Sequence, residues 1–188
     1  EHDEVMGVPG FAPTTKGIFN LTRFRQKVAI RTVISSKNYT RLPQFAEFVC
    51  RNFPFAYHVA LMGLEVINKA RENAKSYWID PVKYVAELEE AVCILHRADI
   101  KVSVYNHPLC VLPTSLWRFA RASISPWKRS YRDFCRVCYV QERCGGLFAT
   151  SGAWQSGYLM PVGDRCVPKV PSEFRTAGRS TTNLANES

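Results

Sequence analysis

Cys135, Cys138 and Cys144 fall within ten residues, in a CxxCx5C spacing closed by Gly145-Gly146. Thiolates are soft donors, and thiolates this close in sequence can converge on one metal centre. A fourth candidate, Cys110, stands upstream where a predicted strand ends. Together they read as a four-thiolate site. Zinc takes four thiolates tetrahedrally, usually as two separated close pairs. An iron–sulfur cluster takes the same donors at more irregular spacings. One CxxC, one following cysteine and one distant cysteine make an imperfect zinc knuckle. A third reading, thiols that hold no metal, is opposed by the tight clustering.

The charge around these cysteines is one-sided. Arg118, Arg121, Lys128, Arg129, Arg132, Arg136 and Arg143 face only Asp133 and Glu142 within the same stretch, in a chain of net charge +9. A centre built from four thiolates is net negative, so a basic surround suits it; the alternative is a solvated basic face. No nucleic-acid motif or aromatic ladder accompanies the charge, so nucleic acid is not expected as a partner.

Composition sets the frame for these residues. The chain has 188 residues, 46% of them hydrophobic, enough for one domain with a real core plus extensions. No apolar run approaches the roughly twenty residues of a membrane span, so no membrane association is expected. Seven cysteines, an odd number, without a secretion signal argue against a disulfide framework and for a reducing cytoplasm. The chain opens on Glu1 and reads as a piece of something longer.

The elements that must position the cysteines alternate. Residues 14–24 place Ile18, Leu21 and Phe24 at helical spacing after the turn residues Pro9-Gly10. Residues 28–35 (VAIRTVIS) are mostly β-branched or apolar and predict a strand buried on both faces. Residues 42–53 predict a helix with Pro43 in its first turn, and 57–62 (YHVALM) a second strand. Asp80-Pro81 reads as N-cap and first position of a helix carrying Leu88, Val92 and Leu95 on one face. Residues 100–105 (IKVSVY) close a third strand. Helix and strand in this alternation mean right-handed βαβ units and a parallel sheet. Functional residues of such sheets gather at the carboxyl ends of the strands: here Ser35 to Asn38, Gly63 to Glu65, and Asn106 to Cys110.

Several stretches carry a resemblance: HDEVMGVPGFAPTTKGIFNL, VAIRTVISSKNYTRLPQFAEFV, HVALMGLE, WIDPVKY, VSVYNHPLCVLPTSLW and SISPWKRSYRDFCRVCYVQERCGGLF. Together they span roughly residues 2 to 150, and the run from VSVYN through CGGLF is the most specific. The chain resembles the C-terminal part of a radical SAM enzyme, a His-Xaa-Ser system maturase of the C type. The resemblance implies an α/β fold: the last three parallel strands and helices of a partial (β/α)6 barrel over residues 1–109, then a cysteine-rich auxiliary-cluster segment over 110–155. Residues 156–188, rich in Pro, Ser, Thr, Asn and Arg toward their end, are expected to be a mostly disordered tail. It implies an auxiliary [4Fe–4S] cluster on Cys110, Cys135, Cys138 and Cys144. The run is similar to SPASM and twitch extensions, except that Phe148 stands where a further cysteine would fall; Cys166 lies in the tail.

The resemblance further implies S-adenosylmethionine (SAM) as cofactor of the whole enzyme, a His-Xaa-Ser repeat peptide or small protein as substrate, and a partner radical SAM maturase. Arg31 matches a position where similar enzymes turn a polar side chain toward SAM, with Asn38 and Glu65 just beyond two strand ends. Buried in an apolar strand, Arg31 needs a carboxylate, either the methionine end of SAM or a structural ion pair such as Glu65. Asn38 reads equally as a turn residue. The sequence has no CxxxCxxC, the motif that holds the catalytic cluster of these enzymes. This polypeptide alone is therefore expected to be inactive. The alternative is a non-catalytic zinc or iron–sulfur module acting through interactions.

Other residues read as structural: His58 on a strand, His96 solvated on a helix, His107 in a turn. Trp117, Trp127 and Tyr131 read as packing around the cysteine loop, and Cys50 and Cys93 as small residues of helix faces.

Overall fold

The computed structural model describes residues 2–3 and 7–163. Three main helices, α1 (Phe11–Arg23), α2 (Leu42–Asn52) and α3 (Val85–Arg97), alternate with strands β1 (Ala29–Ile34), β2 (His58–Gly63) and β3 (Lys101–Tyr105). The strands pair in parallel in the order β1-β2-β3, and a two-residue β4 (Ala120–Arg121) adds a fourth to the same sheet. The mixed α/β parallel arrangement expected from the alternation is therefore present. β4, with two residues, is too short to leave a periodic signal and was not expected.

Packing explains why these segments adopt this order. α3 buries Leu88, Val92 and Leu95, α2 buries Leu42 and Val49, and both lie over Val59, Leu61, Val102 and Val104 of the sheet. Each such side chain contributes about 1.5–3 kcal/mol through burial. Pro43 sits in the first turn of α2 as expected. Asp80 caps differently from the expectation. Its carboxylate accepts from the Val82 amide at 3.2 Å and starts a 3-10 turn, Pro81–Tyr84, one turn ahead of α3. The helix read from residue 14 begins at Phe11, because Asp3 accepts hydrogen bonds from the Gly10 and Phe11 amides at its amino end.

One expectation fails in a way that matters. β1 is not buried on both faces: along Ala29–Ile34 exposed and half-buried positions alternate until Ile34. Ile30, Thr32 and Ile34 share register with Val59, Leu61 and Gly63 on the helix-covered side. Ala29, Arg31 and Val33 point to the other side, and Val33 is 45% exposed. All three helices serve one face, so β-branched richness here reports strand propensity, not two-sided burial. Among the described residues, no helix is long and apolar enough to cross a membrane.

Candidate metal centre

After β4 the chain leaves the sheet and forms a small antiparallel ribbon, β5 (Arg129–Ser130) with β6 (Leu147–Phe148). The ribbon closes the loop between its strands, and that loop carries Cys135 within the 3-10 turn Asp133–Val137, Cys138 just after it, and Cys144 just after a second 3-10 turn, Gln141–Arg143. Gly146 makes the closure possible. Its φ is +73°, and a Cβ there would stand 2.7 Å from Arg129 Cγ and 3.0 Å from the Ser130 carbonyl oxygen. Gly146→Ala is expected to cost at least about 1–2 kcal/mol for the left-handed backbone alone, read as a lower urea midpoint. An unchanged midpoint would mean that the ribbon is dispensable.

Cys110 comes from the other side. It lies in the turn Leu109–Val111 just past the carboxyl end of β3. Trp117 fixes that turn by donating its indole N–H to the Leu109 and Leu112 carbonyls, both at 3.1 Å. All four cysteines line one apolar cleft of about 380 Å³, its open mouth included, with Phe134, Val140, Leu147 and Leu159 among its walls.

Backbone amides are aimed at the sulfurs. Cys144 Sγ accepts from Leu109 N and from Gly146 N, both at 3.4 Å, and Cys138 Sγ accepts from Val162 N at 3.3 Å. The Met160 amide donates to Cys110. Amide donors of this kind stabilise anionic sulfur and tune bound clusters. As free thiols Cys110 and Cys144 resist ionisation. Burial pushes Cys110 up to about 11, only partly offset by the Met160 amide, and its three sulfur neighbours push the same way. Burial likewise raises Cys144. At these two positions the cleft favours thiolates only once a cation shares it.

Among the described residues, no group of three or more His, Cys, Asp or Glu side chains is arranged to hold a metal ion. The thiols share a cleft without gathering about one point. A zinc ion needs each sulfur about 2.3 Å from a common centre.

The boundary read at residue 156 falls inside this site. Leu159 and Met160 line the cleft, Val162 is buried against Leu109 and Val140, and the Val162 carbonyl accepts from the Tyr139 amide at 2.8 Å. Nothing in the composition of 156–163 marks this role beyond a few apolar residues in a polar stretch. The remainder of the expected tail, with Cys166, lies outside the described residues. Tyr131 packs at the cleft as expected, its hydroxyl donating to the Cys144 carbonyl at 3.1 Å. Trp127 does not: it is 76% exposed. Cys50 and Cys93 sit on α2 and α3, apart from the cleft lining.

The residues read toward SAM do not form one pocket. Asn38 is spent on the turn after β1, its Oδ1 accepting from the Ser35 amide and its Nδ2 donating to the Val33 carbonyl, both at 2.8 Å. Glu65 is held by Lys128 at 3.1 Å and by the Thr150 hydroxyl at 2.8 Å, which pins the β2 end to the cysteine segment. Glu65 therefore does not pair with Arg31. Arg31 is exposed on the open face of β1, so the desolvation premise for a compensating carboxylate does not hold. His107 turns away from the thiols. Its Nδ1–H donates to the Tyr105 carbonyl at 2.7 Å, and the Tyr84 hydroxyl donates to its Nε2 at 2.8 Å.

No family model, no curated protein and no solved structure matches this chain.

Proposed function

We propose that this chain is the auxiliary-cluster part of a radical SAM peptide maturase, with one [4Fe–4S] cluster held by Cys110, Cys135, Cys138 and Cys144. The observation that carries the reading is the convergence of four thiols on one apolar cleft with backbone amides directed at three of them. Thiols that share a cleft without a common point suit a cluster, which places several atoms between its ligands, better than one zinc ion. Such a cluster supplies a one-electron redox centre. The chain's own residues do the rest: the β5–β6 ribbon and the Trp117-fixed turn hold the thiols in position. Phe134, Leu159 and Met160 limit water at the sulfurs.

The fold reading that accompanies this proposal is the last part of a (β/α) barrel, with the parallel sheet as its wall and the cysteine segment as an extension. The substrate reading is a ribosomally made peptide or small protein with His-Xaa-Ser repeats, handled together with a partner maturase and SAM. Of the three residues assigned toward SAM, only Arg31 keeps a side chain without a hydrogen bond or ion pair among the described residues.

The test is anaerobic reconstitution with iron and sulfide, followed by metal and sulfide analysis and visible absorbance. About four irons and four sulfides per chain are expected. Stoichiometric zinc without sulfide would replace this reading by that of a zinc-binding interaction module. A second outcome follows from the missing CxxxCxxC. With dithionite and SAM, the reconstituted chain should form no 5′-deoxyadenosine, because four cysteine ligands leave no iron open to SAM. Repeated turnover, read by chromatography, would force Cys135, Cys138 and Cys144 into a catalytic role.

A further inference from the structure

The sheet face opposite the helices is exposed at Ala29, Arg31, Val33, Lys101 and Arg121, and its charged side chains are all positive. The parallel register puts Ala29, His58 and Lys101 at one level, Arg31, Ala60 and Ser103 at the next, and Val33, Met62 and Tyr105 above them. Arg121 of β4 joins the level of Tyr105. None of these side chains belongs to the core cluster under the helices. No aspartate or glutamate occupies any register position on this face. Ala60 and Ser103 are small and buried, so the middle of the face is low between taller neighbours.

Among the described residues, the cations there have no anionic partner. Arg31 has no hydrogen bond or ion pair among the described residues, and Arg121 donates only to the Arg118 and Ala120 carbonyls. Lys101 reaches the Tyr57 hydroxyl at 3.2 Å and lies over its ring. His58 packs edge-on to Tyr105 and is held below its usual range, first by burial, then by Arg31, Arg121 and Lys101. A like-charged surface with no carboxylate is repulsive on its own and is relieved by an acidic partner.

We propose that this face docks an acidic polypeptide segment running across the strands from Arg31 to Arg121. The span selects that partner over a small anion. Three strand spacings of about 4.8 Å put the two arginine positions roughly 14 Å apart across the sheet and about 7 Å apart along it. One phosphate or one carboxylate does not bridge that distance. The two components put these positions about 16 Å apart on the diagonal; in an extended peptide, residues four apart are separated by about 13 Å and lie on the same side, and the long arginine side chains reach across the remaining few ångströms, so alternate acidic residues match both. The inference does not depend on the cluster reading, and a failed reconstitution would leave it intact.

The experiment uses the whole chain and an acetylated, amidated pentapeptide of alternating Glu and Thr, with His58 as the reporter. Its Cε1 proton is followed by NMR through a pH titration with and without peptide. Bound carboxylates should raise the His58 midpoint, and the affinity should fall about tenfold between low and physiological-to-high salt. Arg31→Ala and Arg121→Ala should each weaken binding several-fold with the urea midpoint unchanged, since both side chains are solvent-facing. The proposal is overturned by a still His58 resonance at millimolar peptide. It is equally overturned by an equal effect of the Gln-Thr analogue, or by inorganic phosphate acting as strongly as the peptide.

Discussion

Cys144→Ala should abolish retention of iron and sulfide, lowering bound iron from about four per chain to a residual trace. The Cys144 sulfur takes two amide hydrogen bonds, from Leu109 and Gly146, and so joins the β3 side of the cleft to the ribbon side. Alanine removes the thiolate and leaves both amides facing an apolar wall. The loop holds no cysteine beyond Cys135 and Cys138, which are already assigned as ligands, and Cys50 is on α2 away from the cleft lining. Cys138→Ala should behave the same way, since it removes the sulfur to which the Val162 amide donates while the backbone bond from the Cys138 amide to the Cys135 carbonyl keeps the turn. Cys50→Ala is the control. It removes a half-buried thiol that packs against the core and should leave the iron content unchanged. Metal and sulfide analysis of the three variants decides the matter, and equal loss in all three would mean that the cysteines act through folding rather than ligation.

What the sequence made legible follows from which signals are local. α2, α3 and the three long strands were readable because Leu42, Val49, Leu88, Val92 and Leu95 repeat at helical spacing between β-rich runs. That the four cysteines share one cleft could be anticipated because residue type and spacing are written in the chain. The one-sided sheet could not. Val33 and Ile34 look alike in sequence, yet one is exposed and the other buried, because the difference comes from which face the helices cover. The same gap misled the reading of Arg31, whose environment depends on that face. Met160 and Val162 were invisible as parts of the site because they contribute backbone amides, which any residue carries. Glu65 was singled out toward SAM from its place beyond β2, whereas its contacts are structural. Its partner, Lys128, lies too far along the chain for spacing to suggest it.

Acid should weaken the fold through His107. The ring is fully buried at the end of β3, and both of its nitrogens are engaged in the neutral form: Nδ1–H donates to Tyr105, and Nε2 accepts from Tyr84. Burial lowers its pKa from 6.5 to about 4, the Tyr105 carbonyl opposing only in part. The sign follows directly. As pH falls through 6.5 the unfolded chain takes up a proton that the folded chain refuses until about pH 4. Stability is therefore complete above the unfolded pKa and declines across that window, by up to about 3 kcal/mol at roughly 1.4 kcal/mol per unit. Urea unfolding of the metal-free, reduced chain at several pH values should show the decline. His107→Gln, which stays neutral, should be less stable at pH 7 but lose much less between pH 6.5 and 4. Tyr84→Phe should cost about 1–3 kcal/mol at neutral pH by leaving the buried Nε2 without its donor. It should also shrink the acid loss, because Nε2 is then free to take a proton. Equal acid slopes in wild type and His107→Gln would show that this ring is not what acid attacks. The point reaches the candidate site, because the turn that His107 anchors leads within three residues to Cys110.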